Sequence, residues 1–231
     1  MSGTDAFLAT IKEHPSNNGP RLVYADWLEE HGACDRAELI RLHCAGQHQD
    51  RITALIEKHG RSWAAEDLGI PESCIPKGAT LEFHKGFIFF PVIIRPFAAL
   101  MADGKYGHEN SCITLENFPF TAEEGDTAQL VLVHFFGRSI STEDATSGMA
   151  QMALDPAKIE HLMAYGAQHW KGNPELIAAL GSSWVYPLAH RVVPFLGEGS
   201  WRRFLGLDCS EDEWVAPCRF AAVRKVPNPA L

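Results

Sequence analysis

An α+β fold is predicted for this chain of 231 residues from a change of texture near Gly69. Before it, apolar residues recur at helical spacing between clear start and stop signals. After it come β-branched and aromatic runs of strand length, interrupted by a few helical stretches. The expected layout is a helical module with a terminal hairpin over residues 1–104, then a mixed α+β domain with short antiparallel strands over residues 105–231.

The first third reads as four short helices. Thr4 or Asp5 caps a helix carrying Phe7, Leu8 and Ile11, which stops before Pro15 because proline disfavours helix in the residue ahead of it. Pro20 suits a first helical position and Gly32 the position past the last turn, so residues 21–31 form a second helix. Its Tyr24, Trp27 and Leu28 fall at i, i+3 and i+4, and Val23 joins Trp27, giving an apolar plate that neighbouring helices must cover. Asp35 with Glu38 three residues on resembles a capping box ahead of Leu39, Ile40 and Leu42. Asp50 starts a fourth helix with Ile52, Leu55 and Ile56 inside and Gly60 past its end.

From Ala79 to Ile94 the chain is rich in Phe, Ile and Val, with a hairpin turn expected near Lys85 and Gly86. Pro96 opens a short helix closed by Asp103-Gly104, and Ile113 to Leu115 reads as a short strand. The run Leu130 to Phe136 is almost wholly apolar, the pattern of a strand buried on both faces. Ser141-Thr142 with Asp144 starts one helix and Asp155-Pro156 another. Strands are expected at 177–180, 184–186, 191–196, 201–207 and 219–223.

Three stretches carry a family resemblance: Phe7-Leu8 with Ile11, the run Pro20 to Gly32, and Arg36 to Leu42, continued by His59-Gly60-Arg61-Ser62-Trp63 and Glu82 to Phe87. Together they resemble the bacterial, planctomycete-type repeat-companion domain over about the first 104 residues. The resemblance implies a helical module found in paralogous sets, with no activity attached; no leucine-rich repeat period follows it here. In the second half, Phe136-Gly137-Arg138, Ser141 to Ala145, Ala179 to Ser182 and Cys218 to Lys225 look like an uncharacterised bacterial C-terminal module. Gly199-Ser200-Trp201, Trp214 and Arg219-Phe220 are also similar to the ends of C-type-lectin-like domains. That similarity implies that the loop from Asp208 to Ala216 faces a ligand.

A net charge of −9 argues against a nucleic-acid backbone binder, which needs Lys and Arg to displace counterions. No apolar run approaches the length of a membrane span, and the first five residues lack the basic and apolar regions of a secretion signal. Six dispersed cysteines with no CxxC are expected to stay reduced. A cytoplasmic protein is expected, with no membrane attachment.

Candidate chemistry is sparse. His43 beside Cys44, and His134 on the apolar strand, are as readily core imidazoles as catalytic ones. Cys209 and Cys218 with Asp208 and Glu211 make a poor zinc set, because structural zinc prefers Cys and His in close pairs. Ser182 lacks the second glycine of a nucleophile elbow, and neither GxGxxG nor a Walker loop occurs. No catalytic residue, metal or cofactor is therefore expected. The candidate binding face is Trp201, Arg203, Asp208, Glu211, Asp212 and Trp214, since Trp and Arg dominate interface energetics and crowded carboxylates must face water. The same tryptophans also fit a small β-domain core. The expected function is non-catalytic binding of an unidentified protein partner or ligand. The alternative is a cysteine/histidine hydrolase or zinc-dependent enzyme with its site in the C-terminal half.

Overall fold

The computed structural model describes residues 3–14, 17–135, 139–170, 176–186, 190–199, 202–215 and 218–224. Helical spacing in the first third produces α1 (Gly3–Glu13), α2 (Gly19–Glu30), α3 (Cys34–Ala45) and α4 (Gln49–Leu68). Glycines with left-handed φ follow three of them: Gly32 after α2, Gly46 after α3 and Gly69 after α4. The fourth helix overruns its expected stop at Gly60. Continuing it buries Trp63, Ala64, Ala65 and Leu68, which outweighs the roughly 1 kcal/mol that a mid-helix glycine costs.

The buried face of α2 is narrower than its spacing suggests. Arg21, Tyr24, Ala25 and Leu28 are buried, whereas Val23 is 56% exposed and Trp27 is half-buried, stacked on the His31 ring at 4.0 Å. Tyr24 is the centre of that face, between Phe7 of α1 at 5.6 Å and Phe87 at 6.0 Å.

After α4 come β1 (Ala79–Leu81), β2 (Phe90–Ile93), α5 (Phe97–Gly104), β3 (His108–Glu109), β4 (Thr127–Phe135), α6 (Thr142–Gln151), β5 (Leu154–Pro156), α7 (Ile159–Gln168), β6 (Ile177–Ala178), β7 (Trp184–Val185), β8 (Arg191–Gly199), β9 (Arg202–Cys209) and β10 (Arg219–Arg224). The chain is an α+β protein, with seven helices and a ten-stranded mixed sheet among the described residues. Strand order along the main path is β1-β4-β10-β6-β8-β9-β3.

The expected hairpin over 79–94 closes only at its tip, where His84 and Phe87 form an antiparallel bridge. The turn is where it was expected, with Lys85 and Gly86 both at positive φ, but β1 and β2 do not pair with each other. Both run antiparallel to β4, Ala79 opposite Phe135 and Phe90 opposite Leu130. One edge of β4 thus carries a single line of pairing, interrupted by the excursion 83–89 that reaches out to the helices. Phe87 inserts among Tyr24, Leu28 and Ile40. Gly86 lies so close to α3 that an added Cβ would collide with Ile40 Cγ1 and stand 3.1 Å from its Cα. Two further elements differ from expectation. Ile113 is buried in a turn instead of a strand. Asp155-Pro156 belongs to β5, because β10 offers Ala222 and Val223 as ladder partners before α7 can begin.

The strands are not uniformly short or antiparallel: β4 and β8 have nine residues each, and β6–β10 and β3–β9 pair in parallel. Alternation along the strands splits the interior into two apolar layers. Val131, Val133, Phe220, Ala178 and Val193 face α4 and α6; Leu130, Leu132, Ala221, Ile177 and Leu205 face α5 and α7. The first layer mixes Leu39, Trp63 and Phe83 with Val131, Trp214 and Phe220, so sheet and core run across the boundary expected at residue 104.

Where the excursion leaves β1, the His84 ring stacks on Phe90 at 4.8 Å and meets His169 edge-on at 5.7 Å. Burial, helped by His169 and Lys85, pushes its imidazole down to about 3. The folded protein therefore keeps His84 neutral while the unfolded chain protonates it near its ordinary value, so stability is lost as pH falls from about 6.5 toward about 3. Burial lowers His43 and His169 in the same sense. Replacing His84 by Gln is expected to flatten the loss between neutral and acid pH, measured as urea midpoints across that window. An unchanged slope would contradict this.

Candidate functional site

The C-terminal strands β8 and β9 form a long antiparallel ribbon, with Val192 opposite Cys209 at one end. The ladder continues one step further, since Ser210 N donates to Arg191 O at 2.9 Å and Ser210 Oγ donates to the same oxygen at 3.1 Å. By that register His190 falls opposite Glu211. On the other side β7 pairs Trp184 with Val192, and Tyr186 N donates to His190 O at 2.8 Å. Two cross-strand rows result on one face: Trp184, Val192 and Cys209, then Tyr186, His190 and Glu211. It is the face that carries Leu205 and Leu207 against α7 farther along β9.

In this grid His190 Nδ1 lies 3.8 Å from Glu211 Oε2, and both side chains are exposed. Cys209 is half-buried beneath them. One ligand atom from each of His190, Cys209 and Glu211 lies within 4.8 Å of the other two. A ring nitrogen, a thiol sulfur and a carboxylate oxygen together form a donor set suited to a borderline-soft divalent cation.

The zinc set weighed from sequence is corrected in its partners. Cys218 is buried in the opposite apolar layer, against α4 and α6, where burial and the nearby Asp208 carboxylate push its thiol up to about 12. It is poorly placed to act as a thiolate. His190 takes the place beside Cys209 and Glu211 that Cys218 had been considered for.

The described residues of the expected binding face, Arg203, Asp208, Glu211, Asp212 and Trp214, do not gather on one surface. Trp201 lies outside the described residues. Arg203 is turned toward α7: its guanidinium sits 4.6 Å from the Trp170 ring centroid and 5.9 Å from that of Tyr106, and it donates to Gly166 O. Asp208, five positions on along β9, projects from the opposite face toward Cys218, and its Oδ1 accepts from Cys209 N at 2.9 Å. Glu211 and Asp212 are exposed, as their charge requires.

Trp214 is the clearest correction. It is buried at 5% exposure, with its ring edge-on to Phe220 at 5.7 Å. Its Nε1 donates to Thr142 Oγ1 at 2.8 Å, and that hydroxyl donates in turn to Ser210 O at 2.6 Å. The main chain pairs Trp214 with Ile140. Acidic neighbours did force exposure, but only of Glu211, Asp212 and Glu213. The next side chain turns inward because a large apolar surface and a waiting hydrogen-bond acceptor are available there.

His134, considered for catalysis, lies on β4 opposite Thr80 and Arg219, and the thiol of Cys112 lies in the loop after β3. Four strands separate β4 from β3 along the sheet, so these two groups do not form one constellation. His43 is half-buried on α3. No helix among the described residues is long and apolar enough to cross a membrane.

Comparison with known proteins adds no relative: no family model, curated protein or solved structure matches this chain.

Proposed function

We propose that this protein is a non-catalytic binding protein whose recognition surface is the exposed end of the β7–β8–β9 ribbon with the turn that follows it. The observation that carries this reading is the mixture of side chains left uncovered there. Tyr186 is 38% exposed in the row of His190 and Glu211, Val185 is 53% exposed on the other face of β7, and the turn after β9 leaves Val215 70% exposed together with the carboxylates of Glu211 and Asp212. Large apolar groups rimmed by charge on a rigid strand frame are the composition of a protein-binding patch. The acidic rim, on a chain of net charge −9, favours a basic partner and a salt-dependent association rate. The helical first third, resembling a repeat-companion module, fits a scaffold role, and the reading places the protein in the cytoplasm. The patch leaves out Arg203, Asp208 and Trp214 of the expected face and keeps Glu211 and Asp212.

The test compares wild-type protein with a Val215→Asp, Asp212→Asn double variant as baits in native lysate, with bound proteins quantified by mass spectrometry. Both changes are at the surface and are expected to leave the thermal midpoint within a few degrees. A specific partner should be lost to the variant and weakened by salt. Equal capture of every protein by both baits would contradict the assignment and move attention to exposed Leu22 and Val23 on α2.

A further inference from the structure

We propose that His190, Cys209 and Glu211 bind a zinc-class divalent cation through Nδ1, Sγ and a carboxylate oxygen, leaving a fourth coordination position open to solvent. The proposal concerns the same surface as the binding reading, but it is tested with metal alone, so either can fail without the other.

Cys209 belongs to β9 itself, and His190 and Glu211 stand one residue beyond the last paired backbone atoms of β8 and β9, which Ser210 fixes through two hydrogen bonds to Arg191 O. Their shared face follows from the period of the strand: Cys209 and Glu211 are two apart on one strand, and His190 is the cross-strand neighbour of Glu211. The three side chains therefore converge because the ladder directs them together.

Three atoms no more than 4.8 Å apart share a point within about 2.8 Å of each, whereas zinc bonds to N, O and S run about 2.0–2.3 Å. The shortfall is well within the reach of side-chain rotation, and the 3.8 Å between His190 Nδ1 and Glu211 Oε2 is already close to the edge of a tetrahedral site. Two of the three groups are exposed and pay little desolvation to rearrange.

The chemistry of the set selects the ion. Thiolate and imidazole exclude magnesium and calcium, which take oxygen ligands, and suit zinc or cobalt. Three protein ligands are one short of a closed tetrahedral structural site. The exposure of His190 and Glu211 leaves the remaining position to a solvent ligand.

The experiment is equilibrium dialysis of reduced, chelator-treated full-length protein against zinc, with metal per chain measured by mass spectrometry, alongside a cobalt(II) titration followed by absorbance. The expected result is one ion per chain and a thiolate-to-cobalt charge-transfer band, both lost in Cys209→Ser and His190→Ala. Both should survive in Cys34→Ser, which removes an exposed thiol elsewhere. Should Cys209→Ser fail to fold, Glu211→Gln carries the test, because its side chain is exposed and the change should weaken binding at least ~10-fold. Absence of a charge-transfer band in wild type, or equal zinc uptake by wild type and the Cys209 or Glu211 variant, would overturn the proposal.

Discussion

Replacing Asp67 by alanine is expected to cost about 3–5 kcal/mol, the range for breaking a buried ion pair by removing one partner. Asp67, near the end of α4, takes two hydrogen bonds at 2.8 Å from Arg36 Nη2 of α3, and the two side chains are only 12% and 7% exposed. The Arg36 guanidinium lies over Trp63, Phe83 and Phe87 at 5.1–5.6 Å. Asp67 also reaches the Ile88 backbone N–H at 3.4 Å, so one carboxylate joins α3, α4 and the excursion between β1 and β2. Burial pushes the Asp67 carboxyl above its usual range despite the adjacent guanidinium. The pair is thus costly to bury but worse to split. Alanine leaves Arg36 charged among three aromatic rings without its counterion. A shift of the denaturant midpoint corresponding to less than about 1 kcal/mol would show that water reaches Arg36 and that the joint is not closed. The double variant Arg36→Met, Asp67→Leu should recover most of the loss, since hydrophobic replacement of a whole buried pair is often neutral.

Trp214→Ala is expected to destabilise the protein by a similar amount, about 3–5 kcal/mol, as for other buried large aromatics. Truncation empties the site against Phe220 and leaves Thr142 Oγ1 without its indole donor. Because Thr142 also holds Ser210 O, the turn carrying Glu211 and Asp212 should loosen, and any metal or partner bound at the ribbon end should weaken with it. Trp214→Phe separates these effects: it retains most apolar contact and removes only the hydrogen bond, and should cost about 1–2 kcal/mol. Chemical denaturation checks both. A midpoint unmoved by Trp214→Ala would place the indole in water, as its acidic neighbours alone suggested.

What the sequence makes legible is local. The four N-terminal helices, the turn at Lys85-Gly86, the Ser141 cap, whose Oγ accepts from Asp144 N at 3.0 Å, and the two-sided burial of β4 all follow from signals within a few residues. Strand partners do not. Whether β1 pairs with β2 or with β4 depends on a strand some fifty positions downstream, and nothing in Ala79 to Ile94 distinguishes the two. His190 was missed for the same reason. It precedes one strand and Glu211 follows the next, so their approach becomes visible only once β8 and β9 are treated as a ribbon and its register is counted through. The expected strands 191–196 and 201–207 leave four residues between them, whereas β8 and β9 pair as far as Gly199 opposite Arg202, so their bounds do not set that register. Cys218 drew attention through its nearness to Cys209 in the chain, yet an acidic turn and an inward tryptophan carry it to the opposite face of the sheet.

The ribbon end is the centre of this account of function, and one measurement tests it most directly: crystals grown with zinc, with anomalous diffraction recorded above and below the zinc absorption edge. The predicted result is one strong anomalous peak within bonding distance of His190 Nδ1, Cys209 Sγ and a Glu211 carboxylate oxygen, with a non-protein ligand completing the sphere. Zinc bound only at other residues, with His190, Cys209 and Glu211 turned away from one another, would contradict it.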